Sequence, residues 1–233
     1  MFSLIFATGL HCMNADDKLV MAIPKGGRIL NAIAPLMLRA GIDLKDTFSE
    51  GCERQLQFPT TDPKIDIVLV SNFDVVTFLA FGAAHLAIAG SDILMEFNHP
   101  EVYAPVNLDV GICHLAVAAP VQQFAKEDYY RCSHVRVATK YPNLTRNYFA
   151  RHGVQAECIK LNGALEMAPN LGLCRRIVDL VQTGSTLKAN GLVEIDKIID
   201  VSARLAVNRT ALKIRPGLIG DLIERFREAV NVV

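Results

Sequence analysis

The 233-residue sequence has no tryptophan and few other aromatic residues, and it has no excess of charge of either sign. Its 24 lysine and arginine residues balance 24 aspartate and glutamate residues. A neutral chain gives no indication of a nucleic-acid groove or of binding to an anionic membrane surface. Any site for an anionic ligand must therefore be local.

Metal-binding and disulfide patterns are also lacking. The six cysteines are scattered without a Cys-x-x-Cys pair, and the six histidines form no pair at metal-ligand spacing. We interpret the cysteines as reduced thiols and isolated histidines, such as His85 and His114, as structural residues. The sequence therefore predicts no protein-metal site.

No apolar run has the length and continuity of a membrane span. Residues 75–90 are interrupted by Thr77 and His85, so they are better divided into a helix and a strand. The apolar residues 1–6 lack the basic region and cleavage pattern of a secretory signal. With 51% hydrophobic and 21% charged residues, the chain is expected to be a packed, cytoplasmic globular protein.

Short apolar runs alternate with helical patterns along the chain, which predicts an α/β fold with a mainly parallel sheet. The predicted strands cover residues 19–23, 65–70, 85–89, 111–119, 135–139, 157–161, 177–181, 194–201 and 204–207. The predicted helices cover residues 29–38, 74–79, 142–151 and 216–230, the last of them amphipathic.

We expect these elements to form two lobes separated by a cleft. Residues 1–106 and 194–233 are assigned to the first domain, and residues 107–193 to the second. Loops at the carboxyl ends of strands from both lobes can then meet a ligand in the cleft.

A glycine- and hydroxyl-rich loop follows the predicted strand at 177–181. Gly184 permits a positive φ and lets backbone N–H groups approach an anion, while Thr183, Ser185 and Thr186 supply hydroxyl donors. This chemistry is typical of a phosphate site, although an ordinary turn with Ser/Thr caps has the same local pattern. Asp179 would repel a phosphate unless it contacts sugar hydroxyls or shares a cation, and ribose 5-phosphate satisfies both requirements.

Five motifs occur along the chain in one characteristic order, and together they resemble the short form of ATP phosphoribosyltransferase. The motifs are Pro24-Lys25-Gly26-Gly27-Arg28, residues 58–63, residues 89–92, residues 161–166, and the loop at 179–187 with the residues 188–192 that follow it.

The resemblance implies a two-lobed fold like the type II periplasmic binding proteins, with the active site in the interlobe cleft. It implies the first step of histidine biosynthesis, in which ATP and phosphoribosyl pyrophosphate give phosphoribosyl-ATP and pyrophosphate. Mg²⁺ is expected, bound mainly through the substrate pyrophosphate. A homodimer is implied, as is a complex with a regulatory subunit that resembles histidyl-tRNA synthetase.

The site residues implied by the resemblance fall into three groups. Arg28 and Arg54 are the expected catalytic residues, because guanidinium offers a bidentate fork to phosphate oxygens. The expected ATP-binding residues are Lys25, Gly90, Ser91 and Asp92. The expected residues for phosphoribosyl pyrophosphate are Asn162, Glu166, Asp179, Gln182, Thr183, Gly184, Ser185, Thr186 and Leu187.

The chain also departs from the family pattern. A second glycine, Gly27, precedes Arg28, His85 stands where relatives commonly have aspartate, and residues 97–100 are unusual. Relatives usually begin near Met13, so residues 1–12 are expected to be an extension or a misassigned start.

Two other functions are compatible with parts of the pattern. The first is a non-catalytic cytoplasmic sensor of a phosphorylated small molecule, and the basic residues Lys25, Arg28 and Arg54 argue against it. The second is a phosphoribosyltransferase for another base. Those enzymes usually have paired acids before the loop, whereas this chain has Val178-Asp179.

Overall fold

The computed structural model describes residues 18–26, 28–44, 56–124 and 133–231. The strands are β1 (Leu19–Pro24), β2 (Gln57–Pro59), β3 (Ile65–Val70), β4 (Leu86–Gly90), β5 (Val102–Asn107), β6 (Cys113–Pro120), β7 (His134–Thr139), β8 (Gln155–Lys160), β9 (Arg176–Val181), β10 (Leu192–Val201) and β11 (Ala203–Asn208).

The α-helices are α1 (Arg28–Arg39), α2 (Asn72–Ala80), α3 (Ser91–Phe97), α4 (Val121–Phe124), α5 (Pro142–Arg151), α6 (Ser185–Ala189), α7 (Arg209–Ile214) and α8 (Pro216–Asn231). A short 3-10 helix covers Leu165–Met167. None of the described helices is long and apolar enough to cross a membrane.

The strands form two mixed sheets, so the fold is α/β as predicted. The first sheet has the order β2-β3-β1-β4-β11-β5, and the second has the order β10-β6-β9-β7-β8. In the first sheet β1 is parallel to β3 and β4, and in the second β7 is parallel to β8 and β9. The remaining pairings are antiparallel, so the prediction of a mainly parallel sheet was wrong.

Apart from β2, the antiparallel strands occur where the chain passes between the sheets. It leaves the first sheet after β5 and returns between β10 and β11, at Ser202. The sequence pattern predicted this return at residue 194. The structure keeps residues 192–201 in the second sheet instead, because they pair antiparallel with β6.

The two crossings lie side by side and are bonded to each other. The Ser202 hydroxyl donates to Asn107 Oδ1 at 2.7 Å, and the Ser202 backbone N–H donates to Ser91 Oγ at 3.2 Å. The return strand is therefore fixed to the end of β5 and to the start of α3.

Each lobe has its own apolar packing, and the lobes also share a core. Helices α1 and α8 cover one face of the first sheet through Ile33, Met37 and Phe226, which are fully buried. A second cluster includes residues of both sheets and of α2 and α5, among them Val75 and Phe149. Burial of this shared apolar surface holds the two lobes together.

Candidate active site

A cavity of about 630 Å³ lies between the two sheets, bordered by the carboxyl ends of strands from both. Its described lining residues are Ile29, Asn72, Phe73, Asp92, Ile93, Lys140, Tyr141, Asn162, Glu166, Asp179, Leu180, Val181, Gln182, Thr183, Gly184, Ser185, Thr186 and Leu187. All nine residues predicted for phosphoribosyl pyrophosphate are in this set.

The hydroxyl-rich loop has the backbone conformation that Gly184 was predicted to provide. Its φ is 70°, and a Cβ added there would lie no closer than 4.0 Å to Val181 Cγ1. Glycine is therefore required by the left-handed backbone rather than by crowding. The helix α6 begins at the next residue, so the first N–H groups of that helix lie beside the cavity.

Hydroxyl groups of the loop lie close together on its exposed side. Thr183 Oγ1 and Ser185 Oγ are 3.0 Å apart, and Thr186 is also exposed. Leu187 is 7% exposed and packs in the core of the second lobe, which anchors the loop from behind. The loop thus presents donors to the cavity on a backbone fixed by an apolar side chain.

Asp179 and Lys140 lie beside this loop in the cavity. Asp179 is in β9, and Lys140 follows the end of the neighbouring β7. Lys140 Nζ lies 3.9 Å from Asp179 Oδ1. The cavity therefore has a carboxylate and an ammonium group beside the phosphate-type loop.

Asn162 and Glu166 lie in the segment after β8, the strand next to β7. Glu166 is in the 3-10 helix, which begins after Ala164, a residue with φ of 52°. Asn162 is exposed and Glu166 is half-buried, and both line the cavity as predicted.

A buried hydrogen bond joins the two lobes at the base of the cavity. Tyr141 Oη donates to Asp92 Oδ2 at 2.6 Å, and the two residues are 3% and 2% exposed. Burial raises the pKa of Asp92, although the bond from Tyr141 opposes that rise. Burial and the adjacent carboxylate also raise the pKa of Tyr141 well above its usual range, so the phenol remains a donor at neutral pH.

Gly90 and Ser91 are not among the described lining residues of the main cavity. A Cβ at Gly90 would lie 2.1 Å from Asp92 Oδ1, so only glycine lets the carboxylate fold back over the strand end. Gly90 lines a smaller cavity of about 100 Å³ at the base of the cleft. Ser91 is 7% exposed, and its hydroxyl accepts from the Ser202 N–H, while its contact with ATP stays a prediction.

The predicted basic cluster is described only in part. Arg54 and the side chain of Arg28 lie outside the described residues. Lys25 follows β1, is exposed, and is not among the described lining residues of the cavity. Its backbone N–H donates to Val70 O at 2.7 Å.

Eight of the described lining residues were not predicted from the sequence, and four of these are polar or aromatic residues that follow strand ends, namely Lys140, Tyr141, Asn72 and Phe73. Each comes directly or within three residues after the carboxyl end of a strand that has parallel neighbours, β7 or β3. That position was the signal available in the sequence, because ligands bind beyond the carboxyl ends of such strands.

Comparison with known proteins gives consistent results. A family model described as "HisG: ATP phosphoribosyltransferase" matches residues 71–228. A Rhodospirillum rubrum ATP phosphoribosyltransferase is 58% identical over 93% of this chain and 95% of its own length. One from Paramagnetospirillum magneticum is 56% identical over 93% of this chain and 99% of its own length.

A solved structure extends the comparison to the fold. The chain resembles one in the ATP phosphoribosyl transferase (HisG:HisZ) complex from Thermotoga maritima, with a TM-score of 0.74 and 28% identity. The match covers 91% of this chain and 98% of that one. With its sequence and fold both matched over most of their length, the chain belongs to the HisG family of ATP phosphoribosyltransferases.

Proposed function

We propose that this chain is a pentosyltransferase that condenses ATP, at adenine N1, with 5-phosphoribosyl 1-pyrophosphate. The products are N1-(5-phosphoribosyl)-ATP and pyrophosphate, the first step of histidine biosynthesis. The observation that carries the proposal is the meeting of the loop at 183–186 with Asp179 in one interlobe cavity. Family membership supports the same reaction.

The finer fold assignment is a two-lobed arrangement like the type II periplasmic binding proteins. Two mixed sheets, two adjacent crossings and a cavity bordered by both lobes support it. In such an arrangement each lobe can bind one substrate, and closure of the cleft would bring the reacting atoms together.

For the phosphoribosyl substrate, we assign the 5-phosphate to the hydroxyl and N–H donors of residues 183–186. Asp179 is assigned to the ribose hydroxyls, since a carboxylate accepts hydrogen bonds from them without facing the phosphate directly. Asn162 and Glu166 are assigned to the same pocket, and Gln182 and Leu187 are assigned to the shape of the loop.

The chemistry requires positioning and charge stabilisation more than proton transfer. Adenine N1 has a lone pair at neutral pH, so no strong general base is needed. The bond from N1 to the anomeric carbon forms as the bond from that carbon to pyrophosphate breaks, and the leaving group takes the electron pair. Arg28 and Arg54 are proposed to offset this developing negative charge.

The ATP side of the cleft is assigned to the first lobe. Gly90 and Asp92 lie at the base of the cleft, and Lys25 follows β1 at the same edge of the first sheet as Asn72. The ammonium group of Lys25 is proposed to bind the triphosphate of ATP. The triphosphate would then extend outward from the base of the cleft.

The donor set of the cavity fits Mg²⁺ that arrives with the substrate. In the described part of the chain, no three His, Cys, Asp or Glu side chains cluster as a metal site. Asp92 accepts a hydrogen bond from Tyr141, and Asp179 lies 3.9 Å from the Lys140 ammonium group. Mg²⁺ prefers substrate phosphates with one or two carboxylates, and when bound it would neutralise pyrophosphate charge.

The assembly is proposed to be a homodimer that binds a regulatory subunit resembling histidyl-tRNA synthetase. The support is the Thermotoga maritima structure, whose description names a HisG:HisZ complex. A cytoplasmic location is proposed because both substrates are metabolites of that compartment. The thiols of Cys158 and Cys174 are compatible with its reducing conditions.

The experiment is an assay of the purified chain with ATP, phosphoribosyl pyrophosphate and Mg²⁺, with and without the regulatory subunit. Phosphoribosyl-ATP is followed by absorbance, and omission of either substrate is the control. The proposal predicts product and pyrophosphate in equal amounts in at least one of the two mixtures. Binding of both substrates without product in either mixture would contradict it and favour the sensor.

A further inference from the structure

The charges around the cleft are unbalanced for a polyanionic substrate. Among the residues that the structure describes, the lining includes three carboxylates, those of Asp92, Glu166 and Asp179, and one ammonium group, that of Lys140. Phosphoribosyl pyrophosphate is itself strongly negative, so carboxylates nearby repel it unless a cation intervenes. Lys140 is the described side chain that brings positive charge to the cavity.

The strand register explains why Lys140 lies beside Asp179. In the parallel pair β7 and β9, Thr139 is opposite Val178, and the next residue on each strand is Lys140 or Asp179. The two charged atoms are 3.9 Å apart, with the side chains 29% and 17% exposed. That separation is longer than a direct hydrogen bond, so the three ammonium protons can reach a ligand oxygen.

The backbone on both sides of Lys140 is anchored. Thr139 is fully buried, and its Oγ1 accepts from the Tyr141 N–H at 2.9 Å and bonds to the Thr145 hydroxyl at 3.3 Å. On the other side, the Tyr141 hydroxyl is bonded to Asp92 of the first lobe. Lys140 therefore leaves the backbone from a fixed point between two buried residues.

From this geometry we infer that the Lys140 ammonium binds the pyrophosphate of the phosphoribosyl substrate and offsets the charge that grows there as it departs. The inference rests on the proposed function. The loop at 183–186 is assigned to the 5-phosphate at one end of the ribose, and Asp179 to the hydroxyls. The anomeric carbon adjoins the 2-hydroxyl, so a cation next to Asp179 faces the pyrophosphate end. Lys140 is then a catalytic residue, and Tyr141 and Asp92 are positioning residues.

Two ligands that differ in chemistry test this assignment directly. Equilibrium binding of inorganic pyrophosphate and of ribose 5-phosphate is measured for the wild type, Lys140→Gln and Lys140→Arg. The matched control is Lys160→Gln, because Lys160 ends the neighbouring β8, is exposed, and is not among the described cavity residues. Steady-state kinetics on the same proteins give KM for each substrate and kcat.

Lys140→Gln is expected to weaken pyrophosphate binding about ten- to a hundredfold, the usual range for a lost charged hydrogen bond. Its affinity for ribose 5-phosphate and its KM for ATP should remain unchanged, kcat should fall, and Lys140→Arg should recover most of the loss. Lys160→Gln should match the wild type throughout.

Equal pyrophosphate affinity in Lys140→Gln and the wild type would overturn the inference. An equal loss for both ligands would also overturn it, because that pattern indicates general damage to the site. Failure of the proposed function has a different signature, namely no phosphoribosyl-ATP from the wild type. The binding comparison does not depend on turnover, so the two failures are distinguishable.

Discussion

At the scale of single residues, the backbone conformation of the phosphate loop restricts which residue can stand at position 184 more than the space around that position does. Hydroxyls at Thr183 and Ser185 are 3.0 Å apart because the chain turns through a left-handed residue between them. That residue is Gly184, with φ of 70°. A side chain at this position would have space but would be strained.

Gly184→Ala should therefore raise the KM for phosphoribosyl pyrophosphate about tenfold, since the strain of roughly 1–2 kcal/mol favours a shifted loop. The KM for ATP should not change, because ATP is assigned to the other lobe. Initial-rate kinetics with each substrate varied in turn measures both constants. Gly163→Ala is the control, since its φ is not positive and no atom lies within 4 Å of the added Cβ. An unchanged KM for phosphoribosyl pyrophosphate in Gly184→Ala would contradict the loop assignment.

Arg54 lies outside the described residues, and its role is a prediction from the family pattern. Arg54→Ala should lower kcat about a hundredfold, which corresponds to roughly 3 kcal/mol of lost transition-state stabilisation. The control is Arg227→Ala, because Arg227 pairs with Glu224 on the exposed side of α8. A normal turnover number for Arg54→Ala would rule out a catalytic role for this guanidinium.

At the scale of secondary-structure elements, helix α3 of the first lobe is hydrogen-bonded to helix α5 of the second lobe. Helix α5 begins after Tyr141, which provides no side-chain cap. Instead the carboxylate of Glu96, in α3, accepts from the N–H groups of Asn143 and Leu144 at 2.9 Å each. Together with the bond between Asp92 and Tyr141, this fixes the start of α5 against the first lobe.

Glu96→Ala should lower the free energy of unfolding by about 1–3 kcal/mol, because two N–H groups lose a charged acceptor in a part-buried position. For a chain of this size that corresponds to a fall in Tm of roughly 2–4 °C per kcal/mol. Calorimetry measures the midpoint, and Glu96→Gln, which keeps one acceptor oxygen, should lose less. Glu224→Ala, at an exposed surface pair, is the control. Equal midpoints for Glu96→Ala and Glu224→Ala would show that this cap contributes nothing.

Nine of the eleven described strands and the four longest described helices followed from local patterns, whereas the pairing of the strands did not. Pro142 and the apolar spacing after it predict α5 with both of its observed ends. The strand β5 was missed because its residues are mostly half-buried at a sheet edge and include Pro105, which interrupts a strand pattern. The contact between Asp92 and Tyr141 joins residues 49 apart in sequence, so no local pattern contains it.

The same distinction applies to the site. Residues 183–187 carry their phosphate chemistry in the sequence, and the structure places all of them at the cavity. Lys140 has no such local motif. Its place in the site depends on the strand register that puts it next to Asp179. The assignment of β10 to the second sheet likewise depends on pairing with β6, nearly 80 residues earlier in the chain.

At the scale of the whole molecule, the terminal helix ties distant parts of the first lobe together. Arg225 of α8 donates to Asp62 Oδ2 at 2.9 Å and to Ala40 O at 2.7 Å. Burial acts to raise the pKa of Asp62, but its hydrogen bonds to Arg225 and to the Lys64 N–H outweigh this and hold that pKa below its ordinary value of 3.8.

A lowered pKa in the folded state means that Asp62 contributes stability above about pH 3.8, and that this contribution is lost as the pH falls through the folded-state pKa. Asp62→Asn should therefore lower the free energy of unfolding by about 1 kcal/mol at pH 7. The difference from wild type should shrink below pH 3.8. Urea unfolding at pH 7, 4 and 3 measures this, with the exposed Asp221→Asn as control. A difference that does not vary with pH would contradict the assigned cause.

The cleft lies between two lobes that are held together by a shared core and by the adjacent crossings. We assign the second-lobe side of that cleft to phosphoribosyl pyrophosphate, with the 5-phosphate on residues 183–186. A crystal structure of the chain with phosphoribosyl pyrophosphate and Mg²⁺ tests this assignment most directly. The 5-phosphate is expected against the backbone N–H groups after Gly184 and the ribose hydroxyls at Asp179, with the pyrophosphate beside Lys140. A 5-phosphate bound in the first lobe, away from this loop, would contradict it.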